Sequence, residues 1–228
     1  MSKTVVIHQP DFMPYLGFFH RLLKANEYVI LDDVQFLRRG WHHRDKLKTQ
    51  HGESWFTLGL IKSSQDTKIN EILLNRDNWK EKHLSLFKQN YQKAKYFKEV
   101  FPFIEKLYQS EFEKMMDFNL ASINMLMQLF DIQIVVKYSS KYLIKSKANE
   151  LLVDILKRTN ATHYLSGVGA KDYFNADPFE QANVKVIWQE FKHPTYPQLY
   201  GEFIPYLSSI DLLFNCGIEE SRKILRSI

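Results

Sequence analysis

Cysteine is almost missing. Cys216 stands alone among 228 residues, so a single chain can build neither a disulfide framework nor a cysteine-rich metal site. No apolar run approaches the roughly 18 residues that cross a bilayer, and Met-Ser-Lys-Thr-Val-Val lacks a long apolar core ahead of a small-residue cleavage site. These absences favour a reducing cytoplasm and a chain with no membrane span. No internal repeat or low-complexity tract is present. Complete glycine motifs are missing too. Ser166-Gly167-Val168-Gly169 has neither the Lys-Ser/Thr ending of a P-loop nor the third glycine of a dinucleotide fingerprint. It also lacks the Gly-x that precedes the serine of a nucleophile elbow.

Aromatic residues, by contrast, reach 14%, with 17 Phe and 12 Tyr. A core of this size needs fewer, so some tyrosines should line a pocket or an interface. The net charge is +5, and Arg38, Arg39, Arg44, Lys46 and Lys48 gather in one stretch, which favours an anionic ligand. The lysines after residue 76 read as a solvated surface. Length and a 45% apolar content suit a single α/β domain over residues 1–228 with a helical insertion at about 77–130.

The opening unit organises the rest. Val5 to His8 reads as an apolar strand, Gln9 to Tyr15 as a polar loop stiffened by Pro10 and Pro14, and Leu16 as a helix start. Tyr28 to Leu31 reads as a second strand ending in Asp32-Asp33. Val34 to Lys48 reads as a polar, basic loop, and Trp55 to Ile61 as a strand. Helices are expected at Asp77 to Ala94, Val100 to Tyr108 and Glu111 to Phe130. Strand character returns at Ile132 to Val136, with a helix at about Asn149 to Arg158 and strands at Thr162 to Leu165 and Val184 to Trp188. That alternation implies right-handed crossovers and a mainly parallel central sheet with flanking helices. The tail reads as two helices separated by Gly217.

In such sheets ligands collect where strands end. The candidate substrate-binding residues are therefore Gln9, Asp11, Tyr15, Gly17, Asp32, Arg39, Trp41, Arg44, Ser166, Gly167, Gly169, Tyr173, Tyr196 and Gln198. Arg39 and Arg44 would hold phosphate, while Tyr15 and Trp41 would stack. His8, His42 and His193 are the candidate catalytic bases, since imidazole titrates near neutrality. A structural histidine is the bland alternative for each. Asp211, inside the apolar run Ile210 to Phe214, needs a partner and reads as either a structural anchor, the favoured reading, or a ligand for the site. Cys216 lacks a neighbouring base. No metal-ligand set is assigned.

Six segments resemble the WbqC-like family of bacteria. They are His8-Gln9-Pro10 with Pro14-Tyr15-Leu16-Gly17, Asp32-Asp33-Val34-Gln35-Phe36, Trp41-His42-His43-Arg44, Tyr164-Leu165-Ser166-Gly167, His193 to Gln198, and Leu207 to Leu213. Members occur among genes for surface polysaccharide such as O-antigen. The resemblance implies a cytoplasmic acyl or aminoacyl transfer, glycine-like in type, onto a nucleotide-linked amino sugar. It would require an acyl donor activated either by ATP with Mg²⁺ or outside this protein. The opening unit also looks loosely like that of nucleotidylyl transferases and pantothenate synthetases, whose His-x-Gly-His turn holds ATP phosphates. Here Tyr15-Leu16-Gly17-Phe18 keeps the glycine and lacks both histidines. Two other classes stay open: a non-catalytic module binding a nucleotide sugar or a partner, and an RNA-binding protein, for which affinity would fall steeply with salt. Nucleic acid is the less favoured partner, and the oligomeric state is unassigned.

Overall fold

A strand in the middle of a parallel sheet must be apolar on both faces, and β1 (Thr4–His8) is: Val5 and Ile7 enter one core, Val6 the other. The computed structural model, which describes residues 2–228, pairs β1 in parallel with β2 (Glu27–Ile30) and β6 (His163–Ser166). With β5 (Val135–Tyr138) and β7 (Lys185–Trp188) at the edges, the five-stranded parallel sheet runs β5-β2-β1-β6-β7. The mixed α/β architecture read from the sequence is the one found.

One face of the sheet is covered by α5 (Ala148–Arg158) and α6 (Asp177–Gln181), whose Val153, Ile155, Leu156 and Phe179 pack on Val5, Ile7 and Val29. The other face carries α1 (Leu16–Leu23) and the helical block, α2 (Trp79–Tyr91), α3 (Phe97–Gln109) and α4 (Met115–Leu129). A last helix, α7 (Ile210–Arg226), packs against α3 and α1. It breaks at Gly217, where φ is 77° and an added Cβ would meet the Tyr96 ring at 2.6 Å. Both features demand glycine.

Three elements differ from expectation, the first being the strand read over 55–61, which runs over 52–57. Residues 44–49, read as part of a basic loop, form β3 (Arg44–Thr49), antiparallel to β4 (Gly52–Thr57). Charge hid the alternation: Arg44 and Lys46 lie over the half-exposed Trp55 ring, while Asp45 and Leu47 face the core. The strand expected at 132–136 begins at Val135. Asp131, at φ 55°, turns the chain back after α4, so that Ile132 N–H closes on Met127 O at 2.8 Å and the Ile132 side chain is buried in the core.

Candidate functional site

The chain passes from one side of β1 to the other between β5 and β6, which makes the carboxyl ends of β1 and β6 a topological switch point. The hydrogen-bonded ladder between them stops at Val5↔Tyr164 although β1 continues to His8. The two ends therefore part. His8 stands on one lip of that crevice, Ser166 and Gly167 on the other.

Three ties hold the loop after β1 in place. Asn119 of α4, fully buried, donates through Nδ2 to the carbonyls of Pro10 at 2.8 Å and His42 at 2.6 Å. Phe12 N–H donates to Trp41 O at 2.9 Å, and the Phe12 ring lies 4.8 Å from that of Phe56. Ser208 Oγ donates to Met13 O at 2.6 Å, and Ser209 N–H to Pro14 O at 3.0 Å. Met13 is held at φ 44°, a left-handed conformation that costs a non-glycine residue about 1–2 kcal/mol. The surrounding bonds make it tolerable.

These ties bring together His8, Asp11 and His42. Asp11 Oδ1 is 3.3 Å from His42 Nδ1, and Oδ2 is 3.7 Å from His8 Nδ1. The His42 contact is close but not aligned as a hydrogen bond, so both nitrogens of that buried ring are without hydrogen-bond partners among the described residues. His8 Nδ1 lies 2.9 Å from Gln9 O. A carbonyl can only accept, so Nδ1 carries the hydrogen and the lone pair of Nε2 is left available. Burial first, and then the Arg21 guanidinium, pull the His8 pKa down to about 4, with Asp11 opposing. Burial pushes the Asp11 carboxyl up, but His8, His42 and Arg21 together carry it below its ordinary range. Asp45 moves the other way: burial, helped by the charge of Asp11, holds it well above the carboxylate range.

Arg21, Asn119 and Asp45 were not among the sequence candidates. Arg21 had a signal: it is the single Arg, Lys, Asp or Glu in the apolar stretch Leu16-Gly17-Phe18-Phe19-His20-Arg21-Leu22-Leu23, which the fold buries from Leu16 through Leu22, and a charge there needs a reason.

The remaining candidates fall into three groups. Tyr15, Gly17, Ser166 and Gly167 lie beside the centre, and His193 is linked to Tyr15 only through other rings. The Tyr15 ring covers Gly17, where a Cβ would meet it at 2.4 Å, so the phosphate cradle implied by the looser resemblance is roofed over. Tyr15 reaches His193 through Tyr206, with ring centroids 6.2 and 5.1 Å apart. His193 Nε2 is sealed and unpaired. A second group engages other parts of the fold. Asp32 accepts from Ser140 Oγ at 2.7 Å and Ser140 N–H at 3.0 Å, pinning the turn after β5. Tyr196 Oη at 2.9 Å, Gln198 Nε2 at 2.7 Å and Tyr91 Oη at 2.8 Å all donate to the fully buried Asp211, which is the anchor expected of it. The third group lies at the surface, with Arg39 and Trp41 exposed and Arg44 half-buried. Trp41 packs 5.4 Å from Trp55, Arg44 lies 4.4 Å over Trp55, and Arg39 lines an open cavity of about 660 Å³ with Gln35, Leu37, Arg38 and Gln65. Gly169 and Tyr173 sit on the exposed turn after β6, away from the centre. The Gln9 side chain makes no hydrogen bond among the described residues.

Burial, with Asp211 and Glu220, raises the Cys216 thiol to about 11, far from a thiolate. Among the described residues no three His, Cys, Asp or Glu side chains converge as metal ligands, and no helix is long and apolar enough to cross a membrane.

The sequence model of the WbqC-like protein family matches residues 9–223. An uncharacterized protein of Mycobacterium tuberculosis is 30% identical over 220 residues, covering 95% of each chain. No solved structure matches the chain.

Proposed function

The chain belongs to the WbqC-like protein family, and from that premise we propose a cytoplasmic acyl or aminoacyl transferase of surface-polysaccharide (O-antigen) assembly that forms an amide on a nucleotide-linked amino sugar. The observation that carries the reading is the His8–Asp11–His42 cluster at the switch point, with Nε2 of a neutral His8 free. In the reaction the sugar amine attacks the activated acyl carbon. A C–N bond forms, the bond to the leaving group breaks with its electron pair, and the amine proton passes to His8 Nε2. Asp11 then faces the imidazolium so formed. His8 is a weak base in the free protein, chiefly through burial and Arg21. A substrate anion beside Arg21 cancels the second of these and strengthens the base when it is needed.

The test mixes pure protein with a nucleotide-linked 4-amino sugar and either glycine, ATP and Mg²⁺ or a pre-activated glycyl donor, with mass spectrometry to detect amide. Product with wild type, reduced about 100-fold or more in His8→Ala, is the expected result. Binding of the nucleotide sugar without product from either donor overturns the proposal in favour of a non-catalytic binding module.

A further inference from the structure

We propose that the gap between the carboxyl ends of β1 and β6 is an oxyanion subsite whose principal ligand is Arg21. The inference deepens the transferase reading by naming the part of the substrate that enters the crevice. It rests on that reading only for the substrate's identity.

Arg21 is 5% exposed, yet its side chain makes no hydrogen bond and no ion pair among the described residues, and Nε is sealed from solvent without a partner. A lysine or histidine in that position could shed its proton. A guanidinium cannot, and it carries five N–H donors in a planar fork. Such a group is retained in a fold when something outside the chain satisfies it. Asp11 is not that partner, because it lies beyond ion-pair distance and is already engaged with His8 and His42.

The position is as specific as the chemistry. Arg21 Nη1 lies 2.7 Å from where a Cβ on residue 167 would stand, so Gly167 leaves room for the fork at the very end of β6. Across the gap its charge acts on His8, Asp11 and Tyr28. Two parallel N–H donors at the mouth of a switch-point crevice fit a phosphate or a carboxylate, the two oxyanions that accept in that geometry.

The experiment is calorimetric titration of the full chain with inorganic phosphate, pyrophosphate and acetate at low ionic strength, repeated for Arg21→Gln and Gly167→Ala. Saturable binding of at least one anion to wild type, weakened about tenfold or more in both variants, is expected. Pyrophosphate preference marks the nucleotide diphosphate as the occupant, and acetate preference marks the acyl donor. In the absence of anion, Arg21→Gln should melt no lower than wild type, since it removes an unpaired buried charge. A lower melt means that the chain itself satisfies Arg21 and overturns the proposal, as does the absence of binding to wild type or equal binding by Gly167→Ala. Failure of Arg21→Gln to fold counts as a lower melt, and Gly167→Ala, whose φ of −73° suits alanine, tests the same geometry with the charge in place. Anion binding without amide formation defeats only the transferase reading, and amide formation without anion binding defeats only this one.

Discussion

Replacing Asp211 by alanine strips an acceptor from three donors at once, the buried Tyr91 and Tyr196 and the half-buried Gln198. The carboxylate is 0% exposed and receives Tyr91 Oη at 2.8 Å, Tyr196 Oη at 2.9 Å and Gln198 Nε2 at 2.7 Å. Hydrogen bonds to a charged group contribute about 1.5–3 kcal/mol each, so a raw sum would be about 5–9 kcal/mol. Two corrections lower it: the tyrosine hydroxyls can turn to new acceptors, and the variant no longer buries a carboxylate that burial already disfavours. A net loss of about 3–5 kcal/mol remains. For a chain of 228 residues the unfolding entropy is about 0.5 kcal/mol/K, which converts that loss into a fall in Tm of roughly 6–10 °C. Urea denaturation with an unchanged m value is the assay, and Asp211→Asn, which keeps one acceptor oxygen, should lose about half as much. A loss below about 1 kcal/mol for Asp211→Ala would show that the three donors are satisfied elsewhere and would refute the anchor.

Asn119→Ala leaves the carbonyls of Pro10 and His42 unpaired; it should cost about 2–3 kcal/mol by thermal melt and abolish amide formation in the turnover assay. Gly217→Ala combines a φ of 77° with the Tyr96 ring at 2.6 Å and should cost about 2 kcal/mol or more, read from the urea midpoint. For pH dependence His83 is the cleanest group. Its Nε2–H donates to Thr57 O at 3.0 Å and its Nδ1 accepts from Tyr108 Oη at 3.0 Å, while burial lowers its pKa to about 4 from 6.5. Between those values the unfolded chain binds the proton and the folded chain does not. The stability contribution is therefore full above about 6.5 and disappears as pH falls through about 4, so the stability of wild type relative to His83→Gln should decline across that window.

Much of the fold was legible because its strands are buried on both faces. Val5-Val6-Ile7 and Tyr28-Val29-Ile30 can hardly be anything but central strands, and the strand-helix-strand order from 135 to 166 fixes their parallel sense. The break at Gly217 was legible too. β3 was not, because Arg44, Lys46 and Lys48 make an alternating strand look like a basic loop. The centre was half legible: His8, Asp11 and His42 could be named from strand ends and loops. Their meeting depends on Asn119, an amide in an apolar helix whose partners lie 77 and 109 residues away. Tyr196 and Gln198 were recognisable as polar groups in a proline-stiffened loop, but their bonds to Asp211 are set by tertiary packing that local pattern does not encode.

The hydroxyl of Ser208 fastening the carbonyl of Met13 sets a schedule for biosynthesis. The loop after β1 is made 195 residues before its clasp, so during synthesis it stays unfastened until Ser208 has joined the fold. A nascent chain holding only the first strands therefore lacks the bond that helps keep Met13 at its positive φ.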